Sequence, residues 1–112
     1  MQVVVTFRHM PKSGALKRYA EEKVAHAISK YFKGGEIEAH VVLWVERFWH
    51  IADFTITFKG MTAKVEERSE DMYSSIDLAM DKLERQLRRY KEKIRDHKSA
   101  PARDVAPMPT TE

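Results

Sequence analysis

Between Ile37 and Val65 the apolar residues fall on every second position, and this alternation limits what the chain can become more than any other feature. Ile37, Ala39, Val41, Leu43 and Val45 alternate with Glu38, His40, Val42, Trp44 and Glu46. After a turn near Arg47 to Trp49, Ala52, Phe54, Ile56 and Phe58 alternate with Ile51, Asp53, Thr55 and Thr57. Successive strand side chains point to opposite faces, so each run predicts a strand with one apolar face. Lys59-Gly60 marks a further turn, and Met61, Ala63 and Val65 open a third strand, giving an antiparallel meander. A sheet with one apolar face has to be covered, and the remaining segments must supply the cover.

Those segments carry the period of helices. Over residues 15–32, Leu16, Ala20, Val24, Ala27, Ile28 and Tyr31 recur at three- and four-residue intervals, with Ser13 as N-cap and Gly34-Gly35 as the stop. Ser69-Glu70-Asp71 offers capping oxygens for a second helix, in which Ile76, Ala79, Met80, Leu83, Leu87, Tyr90 and Ile94 keep helical spacing. Ahead of Pro11, the alternation of Val3, Val5 and Phe7 predicts a strand over Gln2–Arg8. The order predicts an α+β fold, a two-layer β-α-β-β-β-α sandwich with a four-stranded sheet and two helices on one face. A chain of 112 residues supports one domain and one core. The folded domain is expected over residues 1–96, and a flexible tail over 97–112, where Pro101, Pro107 and Pro109 sit among Ala, Ser and Thr.

Composition excludes several kinds of chemistry. Without cysteine there is neither a disulfide framework nor a thiolate metal site, which fits a reducing compartment and predicts a cytoplasmic protein. The N-terminal run has no basic leader or small-residue cleavage site, and no apolar stretch is long enough to span a bilayer, so no membrane partner is expected. His9, His26, His40, His50 and His97 are dispersed, with no spacing that pairs them on a helix, and no metal is expected. No Gly-rich phosphate loop occurs, and Ser74-Ser75 lack a nucleophile elbow. Glu66, Glu67, Glu70 and Asp71 are accounted for by edge-strand solubility and helix capping. The reading is a non-enzyme with no catalytic residue, no cofactor and no small-molecule substrate.

The net charge is only +3, so its distribution matters more than its sum. At 100° per residue, Lys82, Arg85, Arg89 and Lys93 share one flank of the second helix with no acid between them. Asp77, Asp81, Glu84 and Glu92 collect on the other flank, interleaved with Arg88 and Arg95. From Lys82 to Lys98 eight basic residues face three acidic ones, so this half of the helix is cationic. Lys23, His26, Lys30 and Lys33 form a weaker stripe on the first helix, and two helices on one sheet face are expected to merge the stripes into a single cationic patch suited to RNA phosphates. Helix-dipole and i,i+4 effects explain part of this pattern as a merely solvated face. Trp44 is a candidate for stacking on a base, whereas Trp49 is expected to pack over the sheet edge. The alternative is a protein-interaction module whose basic helices bind an acidic protein partner.

The second helix also carries a motif. Ser69-Glu70-Asp71-Met72-Tyr73-Ser74-Ser75-Ile76-Asp77, then Asp81-Lys82-Leu83-Glu84-Arg85-Gln86-Leu87 and Tyr90-Lys91-Glu92-Lys93, resembles the ribosome hibernation promoting factor family, which includes the ribosome-associated inhibitor protein Y. Ala15-Leu16-Lys17-Arg18-Tyr19, Lys30-Tyr31-Phe32, Val41-Val42-Leu43 and His50-Ile51-Ala52-Asp53 are similar in order and spacing, and the length fits a short form. The resemblance implies a fold like double-stranded-RNA-binding domains. It further implies docking on 16S rRNA of the small ribosomal subunit, over the messenger channel and the aminoacyl and peptidyl transfer-RNA sites. Translation would then stop by steric exclusion in starved or stationary cells, in ribosome dimers or idle single ribosomes. Lys82, Arg85, Arg88, Arg89 and Lys93 match the RNA-facing stretch, and Lys23 and Lys30 match basic positions of the first helix.

Overall fold

The computed structural model describes residues 1–99, with side chains through Lys93. Its elements are β1 (Gln2–Arg8), α1 (Gly14–Tyr31), β2 (Ile37–Glu46), β3 (Trp49–Phe58), β4 (Met61–Ser69) and α2 (Met72–Ser99), in the predicted order. The helix continues to Ser99, three residues beyond the expected end of the domain. The remainder of the predicted tail lies outside the described residues.

The strands lie side by side as β1-β2-β3-β4. β2, β3 and β4 form the antiparallel meander, joined by two tight turns. At Lys59-Gly60 both residues have positive φ, +50° and +78°, the conformation that lets a two-residue turn follow the twist of its strands. The first hairpin is tighter than expected: Glu46 pairs with Trp49, so only Arg47 and Phe48 form the loop and β3 begins at Trp49. β1 runs parallel to β2, a pairing that needs a crossover, and α1 provides it.

Paired residues share a sheet face, so the register separates the two surfaces. Val5, Val41, Phe54 and Val65 form one row across the core face, with Val3, Ala39, Ile56 and Ala63 beside it. α1 packs against β1 and α2, and α2 against β3 and β4, so both helices cover this face. Leu16, Ala20, Val24, Ala27 and Ile28 close the core from α1. Ile76, Ala79, Leu83 and Leu87 close it from α2. Every residue of the core cluster that comes from the sheet lies on this face; Ile51, on the other, is buried outside it.

Polar joints fix the helices. Leu16 N–H donates to Ser13 Oγ at 3.1 Å, the predicted cap, and Ser74 N–H donates to Asp71 Oδ2 at 3.0 Å. Further along α2, Gln86 donates to the Lys64 carbonyl, and the Tyr90 hydroxyl donates to the Thr62 carbonyl at 2.8 Å. Thr62 lies at the start of β4, so residues 91–99 of α2 project past the end of the sheet, about 13 Å at 1.5 Å per residue. This overhang draws the molecule out to 50 × 25 × 18 Å.

Candidate nucleic-acid interface

The two flanks of α2 meet different neighbours. On one flank Asp77 and Glu84 face α1, and each takes a lysine from it: Lys23 Nζ lies 3.8 Å from Asp77, and Lys30 Nζ 3.1 Å from Glu84 Oε1. The Tyr19 hydroxyl donates to Asp77 Oδ1 at 2.6 Å, with its ring edge-on to Tyr73 and the Lys23 ammonium 5.2 Å from its centroid. That hydrogen bond, with burial and the Asp77 charge, pushes the Tyr19 hydroxyl up from 10.0 to about 12. On the other flank Lys82 pairs with Glu67 of β4.

The expected single patch is therefore corrected. The basic stripe of α1 meets the acidic flank of α2 and ends in ion pairs, while the basic flank of α2 faces away from α1 over β4. Among the predicted binding residues, Lys23, Lys30 and Lys82 are engaged by carboxylates within the fold, their side chains still about half exposed. Arg85, Arg88, Arg89 and Lys93 lie exposed on the distal half of α2. Lys91 is exposed beside them, so from Arg85 to Lys93 five basic residues stand against a single acid, Glu92. This cationic segment begins over β4 and runs into the overhang.

The opposite sheet face bears a second polar arrangement. Asp53 is bound by Lys64, whose ammonium donates to both carboxylate oxygens at 3.1 and 3.0 Å. Burial and the facing Asp53 carboxylate raise the Glu66 carboxyl above its usual range, against the opposing pull of Lys64 and Arg68. Trp44 is half-buried on this face. Trp49 is half-buried on the same face as Trp44, rather than packed over an edge, and carries the Arg68 guanidinium 4.7 Å from its ring centroid. Arg68 and Phe48 carry no periodic signal in the sequence; only strand register brings them together. Among the described residues no cluster of three or more metal-ligating side chains occurs, and no helix is long and apolar enough to cross a membrane.

A closed two-layer α+β body with a long cationic helix running past its sheet is the class of protein these features define. Residues 3–95 match the family described as "Sigma 54 modulation protein / S30EA ribosomal protein". The ribosome hibernation promoting factor of Salmonella typhimurium is 35% identical over 97 residues, covering 87% of this chain and the whole of the relative. A longer relative, the ribosome hibernation promotion factor of Lactococcus lactis, is 36% identical over 108 residues but is covered only to 57%. Among solved structures, the N-terminal domain of Thermus thermophilus Protein Y superposes with a TM-score of 0.73 at 32% identity, covering 80% of this chain and 99% of the other. A ribosomal subunit interface protein from Coxiella burnetii gives 0.71 at 29% identity, covering 82% and 99%. The chain belongs to this family, that of the ribosome hibernation promoting factors.

Proposed function

We propose that this protein is a ribosome hibernation factor acting in the cytoplasm. It binds 16S rRNA of the small subunit at the messenger channel and the aminoacyl and peptidyl transfer-RNA sites, and blocks translation under stress or in stationary phase by occupying that space. No bond is made or broken; the work is done by volume and charge. The observation that carries this reading is the distal half of α2, where Arg85, Arg88, Arg89, Lys91 and Lys93 are exposed against one acid. Such a surface neutralises phosphates and releases their counterions, the main source of affinity for nucleic acid. Family membership supports the ribosome as the source of that RNA. Lys23, Lys30 and Lys82 contribute less, because a phosphate has to draw each ammonium from a carboxylate that stays nearby. Exposed ion pairs hold by only about 0–1 kcal/mol, so this exchange is permitted.

The test is co-sedimentation with purified small subunits at fixed salt. Arg85→Glu/Arg89→Glu is expected to abolish pelleting while circular dichroism stays unchanged, since exposed charge substitutions barely alter stability. Undiminished pelleting of the folded variant refutes the assignment.

A further inference from the structure

We propose that the β2–β3 end of the open sheet face is a stacking site for unpaired nucleobases, with Trp44, Phe48 and Trp49 as platforms and Arg8, Arg47 and Arg68 at its rim. The inference rests on the reading that the partner is RNA, but it uses a surface remote from the distal half of α2.

The strand register builds this site. Arg8 pairs with Trp44, Trp44 with Ile51, and Ile51 with Arg68, so one row across the open face reads Arg, Trp, Ile, Arg. Trp49 lies two residues before Ile51 on the same face, diagonal to Trp44, a separation that aromatic side chains bridge. Ile51 is only 3% exposed although no helix covers this face, so the row's own side chains enclose it and give the rings a firm floor. Arg68 lies against Trp49, and the Phe48 ring stands 4.9 Å from it at 43°. The platforms are thus held in place before any ligand arrives, which lowers the entropy lost on binding.

The hairpin loop is built at a cost. Arg47 adopts φ +59°, a left-handed conformation unfavourable for a residue with a Cβ, and Phe48 is left 60% exposed beside it. The tight two-residue turn accounts for the φ of Arg47, as for that of Lys59, but nothing in the core calls for an exposed aromatic ring at Phe48. The ligand class follows from the pairing of rings with guanidinium groups. Arg8, Arg47 and Arg68 stand around the rings with Glu46 among them. Glu70 and Asp71 follow Ser69 at the same end of the sheet, where Asp71 Oδ2 caps α2, so it is the guanidinium groups beside the rings, and not a net charge, that give the site its contacts for a phosphate. A nucleotide supplies a flat ring for the aromatics and a phosphate for the rim in one unit, and every base has a face to stack. An acidic protein segment would match the arginines and leave the rings unserved.

Trp44 and Trp49 are the two tryptophans of the chain, so its intrinsic tryptophan fluorescence reports on this site alone. The full chain is titrated at low salt with an eight-nucleotide oligouridylate, an abasic octamer of equal charge, and an oligoglutamate peptide. Quenching by oligouridylate with little response to the other two supports the proposal, as does about tenfold weaker binding by Phe48→Ala. Equal quenching by the abasic octamer reduces the site to charge and overturns it. Quenching by oligoglutamate assigns the surface to a protein and overturns it also, and so does an unchanged Phe48→Ala. Pelleting with small subunits, read beside the quenching, separates the two surfaces. If wild type pellets but oligouridylate never quenches, this inference alone fails; if oligouridylate quenches but wild type does not pellet, the proposed function alone fails.

Discussion

Ser75 occupies a position on the buried stripe of α2 where an aliphatic side chain is usual, and it is fully buried. Its hydroxyl donates to the His50 carbonyl at 2.6 Å and lies 2.7 Å from Ser69 Oγ, tying the start of the helix to β3 and to the end of β4. Removing it strands a carbonyl inside the fold, so Ser75→Ala is expected to cost about 1–2 kcal/mol in urea unfolding. An unchanged midpoint would show that water reaches the carbonyl. Tyr19 gives a pH signature. Its folded pKa, about 12, exceeds the ordinary 10.0, so the folded chain keeps a proton that the unfolded chain releases. That contribution is complete below pH 10 and disappears as pH rises through about 12. Tyr19→Phe should therefore lower Tm at pH 8 by an amount that shrinks between pH 10 and 12; a constant difference across that range would contradict the assigned hydrogen bond.

At the scale of elements, the alternation of residues 37–65 and the spacing within both helices carried the architecture, because burial of each face is written in local period. The placement of β1 beside β2 was not written there. Nor was the meeting of Lys30 with Glu84, which are 54 residues apart and become neighbours only when α1 packs on α2. Sequence reasoning found the charged flanks of each helix correctly but could not say which flanks would face each other, and so anticipated one merged patch. The pairing makes a prediction of its own. Glu84→Gln releases Lys30 and removes a charge that repels phosphate, so it should strengthen pelleting with small subunits several-fold, at a stability cost within about 1 kcal/mol. Weaker pelleting would mean that Glu84 positions the lysine for RNA. The hairpin can be tested by Arg47→Gly. Relief of a left-handed residue is worth about 1–2 kcal/mol and added chain freedom costs about 0.5–1, so a small rise in unfolding midpoint is expected. A fall would locate a stabilising contact in the arginine side chain.

For the whole molecule, salt is the measure of how many charges act together. Five phosphate contacts from the distal half of α2 correspond to a slope of about −4 in log K against log salt, or two to three orders of magnitude between roughly 50 and 200 mM. Arg85→Gln/Arg89→Gln should make that slope shallower by about two, read by pelleting across a salt series. An unaltered slope would move the phosphate contacts elsewhere. The overhang of α2 and the β2–β3 hairpin lie at opposite ends of the sheet, separated by the ten-residue length of β3, about 33 Å. A body gripped at both extremities behaves as a tethered pair of weak binders: once one end is seated, the other searches only a small volume, at an effective concentration far above that of the free protein. Departure then requires both ends to let go within the same brief interval, so a modest loosening at either tip multiplies into a much shorter stay.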